Sequence, residues 1–222
     1  MTDEFTIYLV DDDVGVRKGL SRLLRARGYD VRAYSSPQEF LQQHDPAAPG
    51  CAVLDVAMPG LDGLGLQQAL TAGGSHRPVI FVTGKGDIPT SVRAMKAGAL
   101  DFLTKPVKES DLLEAILRAK KRDAEHRLVN SELDTIQAKI NTLTPREREV
   151  LVHVVAGRLN KQIAGDLGTV EKTIKVHRSR MMVKLGIRSV TDLVRMAEKA
   201  RISQNSDPGS IGPTVNSTGN QT

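Results

Sequence analysis

The sequence predicts two domains of different class. Residues 1–120 read as an α/β doubly wound five-stranded parallel sheet, and residues 143–202 as a separate all-α helix-turn-helix domain. Residues 121–142 would join them as a long helical linker, with residues 203–222 as a disordered tail. Three observations carry this reading. Short apolar runs alternate with amphipathic stretches through the first half, the βαβ pattern that builds a parallel sheet. From Glu109 to Asn141 a polar, helix-compatible run contains no Gly or Pro. Beyond it, successive segments carry helix start and stop signals, and the excess positive charge of the chain collects there.

The expected strands are Phe5–Val10, Asp30–Tyr34, Cys51–Leu54, Pro78–Thr83 and Asp101–Leu103. Asp13 can cap a helix running through Val16, Leu20, Leu23 and Leu24, which Gly28 ends. Ser36 with Pro37 is a cap and first-turn pair. Residues 64–72, 88–97 and 109 onward supply three more helices. In the linker, Val129, Leu133, Ile136, Ile140 and Leu143 follow a 4-3-4-3 spacing. Two heptads fall short of the three or four that define a coiled coil. The stripe therefore fits either a dimer seam or a helix resting on a neighbour.

In the third region, Thr144-Pro145-Arg146-Glu147 is a capping box with Pro at the first helical position. Asn160 can cap a short helix ending near Leu167-Gly168. A longer helix covers Glu171–Leu185 and stops at Gly186, and Ser189 with Asp192 opens a fourth. The tail is polar and rich in Gly, Pro and Ser, a composition that cannot build a core.

Charge narrows the partners. The net charge of +5 is unevenly spread: residues 143–203 hold 13 Lys/Arg against 6 Asp/Glu, whereas residues 1–107 hold 11 against 12. A basic segment of this kind is an electrostatic footprint for a polyanion. Aromatics form only 3% of the chain, which argues against readers that stack single-stranded bases and for duplex DNA. Asp3 and Glu4 stand where a signal peptide would carry its basic start, so none is expected. No run reaches the roughly 18 apolar residues of a membrane span. Cys51 is the only cysteine, so no internal disulfide can form, and it reads as core. The expectation is a soluble cytoplasmic protein that does not engage a membrane.

Chemistry gathers at the strand ends. Asp11, Asp12 and Asp13 follow the first strand, and Asp55 ends the third. In a doubly wound sheet these ends are neighbours at the functional crevice. Carboxylates meeting there repel one another unless a cation sits among them, and oxygen-only ligands favour a hard ion such as Mg²⁺. Thr83 ends the fourth strand and Lys105 follows the fifth. A nucleophilic carboxylate, a metal site, a hydroxyl and a fixed cation are the parts of phosphoryl transfer to Asp55. Gly84-Lys85-Gly86-Asp87-Ile88-Pro89 resembles a fragment of a dinucleotide loop, but Pro89 stands where the third glycine belongs. The loop also follows the fourth strand rather than the first, so we reject it. His44, His76, His126, His153 and His177 show no metal-ligand spacing.

Residues 5–120 resemble the receiver domain of bacterial response regulators, a CheY/flavodoxin-like fold. The resemblance rests on Val10-Asp11-Asp12-Asp13, Leu54-Asp55, Met58-Pro59-Gly60, Asp62-Gly63, Val82-Thr83-Gly84 and Phe102 before Lys105-Pro106. It implies that Asp55 accepts phosphate from a histidine kinase. Asp11, Asp12, Asp55 and the backbone carbonyl of Ala57 would hold Mg²⁺. Thr83 and Lys105 would bind phosphoryl oxygens, Thr83 and Phe102 would report the switch, and the bond before Pro106 would be cis. Asp13 has no implied role beyond its cap.

Residues 143–200 resemble the LuxR-type output domain, and the whole chain resembles the FixJ branch of the NarL/FixJ response regulators. The carrying residues are Leu143–Leu151, Asn160–Ala164, Glu171–Arg178 and Lys184-Leu185-Gly186. On the second helix of the pair, Ile174, Met181 and Leu185 would be buried. The resemblance puts Lys172, Lys175, Val176 and Ser179 in the major groove. Lys161, Thr173, His177 and Arg178 would mainly hold the DNA backbone. Val170 stands where the family often has Ser or Thr, so Thr169 is the candidate cap there.

The expected function is a phosphorylation-gated transcriptional regulator of a two-component system, with phosphate shifting the face of residues 87–103. That shift would dimerise the protein or release its output domain, and RNA polymerase is a further possible partner. It would not be an enzyme beyond its own phosphorylation and autodephosphorylation. Two other classes compete. An aspartate-nucleophile phosphatase would need an acid two residues after Asp55, where Ala57 stands. A phosphorylation-independent DNA-binding protein would not need the acidic site.

Overall fold

The computed structural model describes residues 5–84, 88–200 and 202. Lys85, Gly86 and Asp87 of the rejected loop, and the tail from residue 203, lie outside the described residues. The chain divides into two compact units, Met1–Leu128 and Val129–Thr222.

The first unit is a parallel sheet of β1 (Thr6–Val10), β2 (Asp30–Tyr34), β3 (Gly50–Asp55), β4 (Val79–Thr83) and β5 (Asp101–Thr104), ordered β2-β1-β3-β4-β5. Every β1, β3 and β4 residue is buried, which is why these strands read as continuous apolar runs. Side chains alternate between faces. Ile7, Leu9 and Val53 join Leu24 of α1 (Val14–Ala26) and Leu112 and Ile116 of α5 (Glu109–Asn141). Tyr8, Val10 and Leu54 face the other way. They meet Phe40 of α2 (Pro37–Gln43), Leu66 of α3 (Gly63–Ala72) and Ala94 of α4 (Ile88–Lys96). Phe40 is fully buried and meets Tyr8 and Tyr34 edge-on at 5.8 and 5.4 Å. Burying such a ring contributes about 2–3 kcal/mol. Cys51 belongs to the first core, and burial pushes its thiol up to about 12, so it is inert packing.

The caps form where the sequence places them. Asp13 accepts from the Gly15 and Val16 N–H groups at 2.7 and 2.9 Å, which hold its carboxyl below the usual range. Ser36 accepts from Glu39 N–H at 3.2 Å. At the opposite end of the sheet, Arg77 is buried with its guanidinium 4.0 Å over the Tyr8 ring. Beside it, Asp123 of α5 accepts from Gly50 N–H, and Arg127 donates to Ala47 O at 2.7 Å. The first turns of the linker stretch thus pack on this unit. The rings of His76 and His126 meet there at 4.3 Å.

The second unit holds the end of α5, then α6 (Pro145–Val155), α7 (Asn160–Asp166), α8 (Glu171–Leu185) and α9 (Val190–Lys199). The heptad stripe of the linker splits. Ile140 and Leu143 are buried in this core and Ile136 packs against it, whereas Val129 and Leu133 are exposed. Thr144 and Glu147 form the reciprocal capping box. Gly186 ends α8 at φ 69°, a left-handed cap that a Cβ disfavours.

Two expected caps are corrected. Asn160 is the first residue of α7, not its cap: its Oδ1 accepts from Arg178 at 3.0 Å, while Gln162 accepts from Leu159 N–H. Thr169 does not cap α8 either, because Val170 holds that position with no side-chain hydrogen bond.

Glu147 is buried and accepts from Lys184 Nζ at 2.6 Å and from Thr144 N–H at 2.9 Å. Burial alone would raise its carboxyl, but those two donors together hold it below the usual range. Lys184→Met removes the cation and leaves a buried carboxylate behind. The expected loss is about 3 kcal/mol for the second unit near neutral pH. A lowered acid pKa contributes stability above the unfolded-state value and loses it as pH falls through the folded one. The deficit of the variant therefore narrows in acid, a trend that urea unfolding at a series of pH values measures.

Candidate functional site

Strand register builds the acidic site. Val10 pairs with Tyr34 on one side and Leu54 on the other, so Asp11 and Asp55 leave adjacent strand ends together. Asp11 and Asp55 are buried while Asp12 is exposed. Each of the three can offer an oxygen within 4.8 Å of the others, the one such group of His, Cys, Asp or Glu among the described residues. Asp11 Oδ1 accepts from Asp13 N–H at 2.9 Å, which fixes the carboxylate. Lys105 Nζ lies 2.8 Å from Asp11 Oδ2 and 3.1 Å from Asp55 Oδ1. Its peptide bond to Pro106 is cis, and its N–H donates to Thr83 O at 2.7 Å.

Two buried carboxylates share one ammonium here. Burial pushes the Asp55 carboxyl up and the Asp11 charge adds to this, with Lys105 opposing. Burial pulls Lys105 down, but its bonds to Asp11 and Asp55 outweigh that and raise it. An all-oxygen group of excess negative charge suits a hard divalent cation. Thr83 is buried at the end of β4, and Ala57 lies exposed in the loop after β3. Phe102 is half-buried on β5, its ring 6.2 Å from that of Phe81.

The second unit presents the basic surface. Ile174, Met181 and Leu185 of α8 are buried, the stripe the sequence predicts. Lys172, Lys175, Val176 and Ser179 are exposed, with Val176 42% accessible despite being apolar. Lys175 pairs with Glu171 at 3.1 Å. Lys161 is exposed on α7, while Thr173, His177 and Arg178 are half-buried. The acidic group lies in the first unit and the basic surface in the second.

Residues 7–117 match the model of the response regulator receiver domain, and residues 141–197 that of the bacterial regulatory proteins of the luxR family. The chain belongs to the NarL/FixJ response regulators. It unites a receiver domain with a LuxR-type DNA-binding domain, the build of a phosphorylation-gated transcriptional regulator in a two-component system. Nodulation protein W of Bradyrhizobium diazoefficiens is 43% identical, over 90% of this chain and 88% of that protein. Transcriptional regulatory protein FixJ of Rhizobium meliloti is 42% identical, over 89% and 96%. Among solved structures, response regulator StyR matches with a TM-score of 0.78 and 45% identity, over 88% of this chain and 99% of that one. Full-length FixJ from B. japonicum gives a TM-score of 0.55 at 37% identity, over 90% and 98%.

Three contacts in this response regulator escape sequence reasoning. Arg17 Nη1 donates to the backbone oxygens of Asp11 and Asp12 at 2.6 and 3.3 Å, holding the turn that carries both carboxylates. Gly63 packs directly beneath the Asp55 carbonyl. Asn160 binds Arg178. Gly63 was visible as half of the Asp62-Gly63 pair. Asn160 was visible only as a cap candidate, and nothing local marks Arg17. No described helix is long and apolar enough to cross a membrane.

Proposed function

We propose that Asp55 is the phosphoacceptor and that a histidine kinase is the donor. The Asp55 carboxylate oxygen attacks the phosphorus of the phosphohistidine; the P–N bond breaks, its electron pair stays on nitrogen, and the imidazole, already protonated at its other ring nitrogen, leaves as the neutral base. Asp11, Asp12, Asp55 and the Ala57 carbonyl would hold Mg²⁺, which when bound offsets charge on the transferring phosphoryl oxygens. Lys105 and the Thr83 hydroxyl bind the oxygens that the metal does not. The same site loses phosphate to water, and this is the chain's only catalysis. The carrying observation is the Lys105 ammonium held between Asp11 and Asp55 at hydrogen-bond distance from both.

In this reading residues 1–120 are the receiver, 121–142 the linker, 143–202 the output domain and 203–222 the tail. Phosphate draws in Thr83 and Lys105 and turns Phe102, which shifts the face of residues 87–103. An apolar stripe on α4 supports dimerisation as the consequence. Ile88, Val92 and Met95 are 78%, 44% and 47% exposed at helical spacing. The dimer binds duplex DNA through Lys172, Lys175, Val176 and Ser179, with Lys161, Thr173, His177 and Arg178 on phosphates. It acts in the cytoplasm, with RNA polymerase as a further partner.

Light scattering with and without Mg²⁺ and beryllium fluoride, a phosphoryl mimic, tests the switch. Wild type is expected to double its molar mass, and Asp55→Ala to stay unchanged. Beryllium fluoride bound without any change of mass sinks dimerisation. A mass shift that survives in Asp55→Ala removes Asp55 as acceptor.

A further inference from the structure

On α8, Ile174, Met181 and Leu185 are buried at positions i, i+7 and i+11. The i+4 member of that stripe is Arg178, where an apolar side chain would complete the core. The arginine instead turns its guanidinium toward α7, and Nη1 donates to Asn160 Oδ1 at 3.0 Å. Its acceptor is a neutral amide. A carboxylate there would orient the group equally well and cancel its charge, whereas Asn160 orients it and leaves the charge intact. Guanidinium carries five N–H donors in a fixed fork, of which this bond takes one. Lys161 is exposed beside Asn160, and half-buried His177 directly precedes Arg178 on α8, with Thr173 one turn before His177.

We infer that Asn160 is a positioning residue: it holds the Arg178 guanidinium, still charged, at the α7–α8 junction to grip a phosphate of the DNA backbone. The inference rests on α8 being the DNA-reading helix. A purely stabilising pair would be better made from an apolar residue at position 178. An arginine braced by an amide serves an anion that arrives from outside the fold.

Anisotropy of the full-length protein on a short, mixed-sequence, labelled duplex DNA over a salt series tests this, with thermal unfolding alongside. Each phosphate contact contributes about 0.9 to the slope of log affinity against log salt. Asn160→Asp keeps the hydrogen bond and cancels the charge; Arg178→Leu completes the apolar stripe. Both are expected to lower the slope by about 1 and weaken binding several-fold, with no fall in Tm. Asn160→Ala frees the guanidinium without discharging it, so it weakens binding while the slope stays near wild type, and it adds nothing to Arg178→Leu. The clamp is overturned if Asn160→Asp and Arg178→Leu keep the wild-type slope while the double variant Lys172→Ala/Lys175→Ala loses affinity. If that double variant also binds as wild type does, the recognition-helix reading falls, and the clamp with it.

Discussion

Asp55→Asn is expected to abolish phosphoryl uptake and, without Mg²⁺, to raise the unfolding midpoint of the first unit by a few degrees. The first effect follows from the proposed chemistry, because an amide cannot act as the attacking carboxylate. Intact mass after incubation with a small phosphodonor reads it directly. The second follows from charge. Asp11 and Asp55 are both buried against one ammonium, and Lys105 touches each. Burial, with the Asp11 charge behind it, raises the Asp55 carboxyl. Ionised Asp55 therefore costs stability near neutral pH. A raised acid pKa gives a contribution that is full below the unfolded-state value and lost as pH rises through the folded one. The advantage of the asparagine is thus absent in acid and grows as pH rises through the Asp55 pKa. With the proposed Mg²⁺ site, adding the ion is expected to narrow the gap, because a ligand that binds only the native state stabilises it. An asparagine variant less stable than wild type in chelator would show that the Lys105 contact outweighs the crowding of charge.

The second large effect is expected at Gly63. A Cβ there would sit 2.2 Å from the Asp55 carbonyl oxygen and 3.0 Å from Cε1 of Phe81. The nearer obstacle is backbone, so either the end of β3 or the first turn of α3 must move. That turn is fixed by Asp62 accepting from Gly65 N–H at 2.7 Å and by Gly63 N–H donating to Val56 O at 3.0 Å. Gly63→Ala is expected to destabilise the first unit by about 3 kcal/mol and to weaken beryllium fluoride binding, since Asp55 moves with its carbonyl. Gly19 on α1 gives the opposite case, exposed and with nothing within 4 Å of its Cβ position. Gly19→Ala should gain about 0.5–1 kcal/mol through helix propensity alone. Urea unfolding of the two variants separates them, and equal stabilities would overturn the steric argument.

The sequence by itself determined the alternation of strands and helices, most of the caps and the residues that meet at the acidic site. These are short-range facts. The period-2 alternation of side chains along a strand places Ile7 and Leu9 on one face and Tyr8 and Val10 on the other. Asp13, Ser36, Thr144 with Glu147, and Ser189 satisfy helix N–H groups within three residues of themselves. Asp11, Asp55 and Lys105 converge because parallel strands end at one edge, which follows from strand order and needs no side-chain detail.

Only the tertiary structure decided the rest, because those contacts join elements whose mutual register no local pattern encodes. Asn160 carries the chemistry of a cap, yet a guanidinium 18 residues away takes its oxygen. The linker stripe has one spacing throughout, but Ile140 and Leu143 are buried while Val129 and Leu133 are exposed. Periodicity says which side of a helix is apolar and not where its cover ends. Gly63 reads as an ordinary turn glycine until the Asp55 carbonyl is found beneath it. Arg17 reads as a surface charge until its Nη1 is found donating to the carbonyls of both Asp11 and Asp12. A hydrogen bond or a steric limit depends on tenths of an ångström between distant backbones, and packing of whole elements sets those distances.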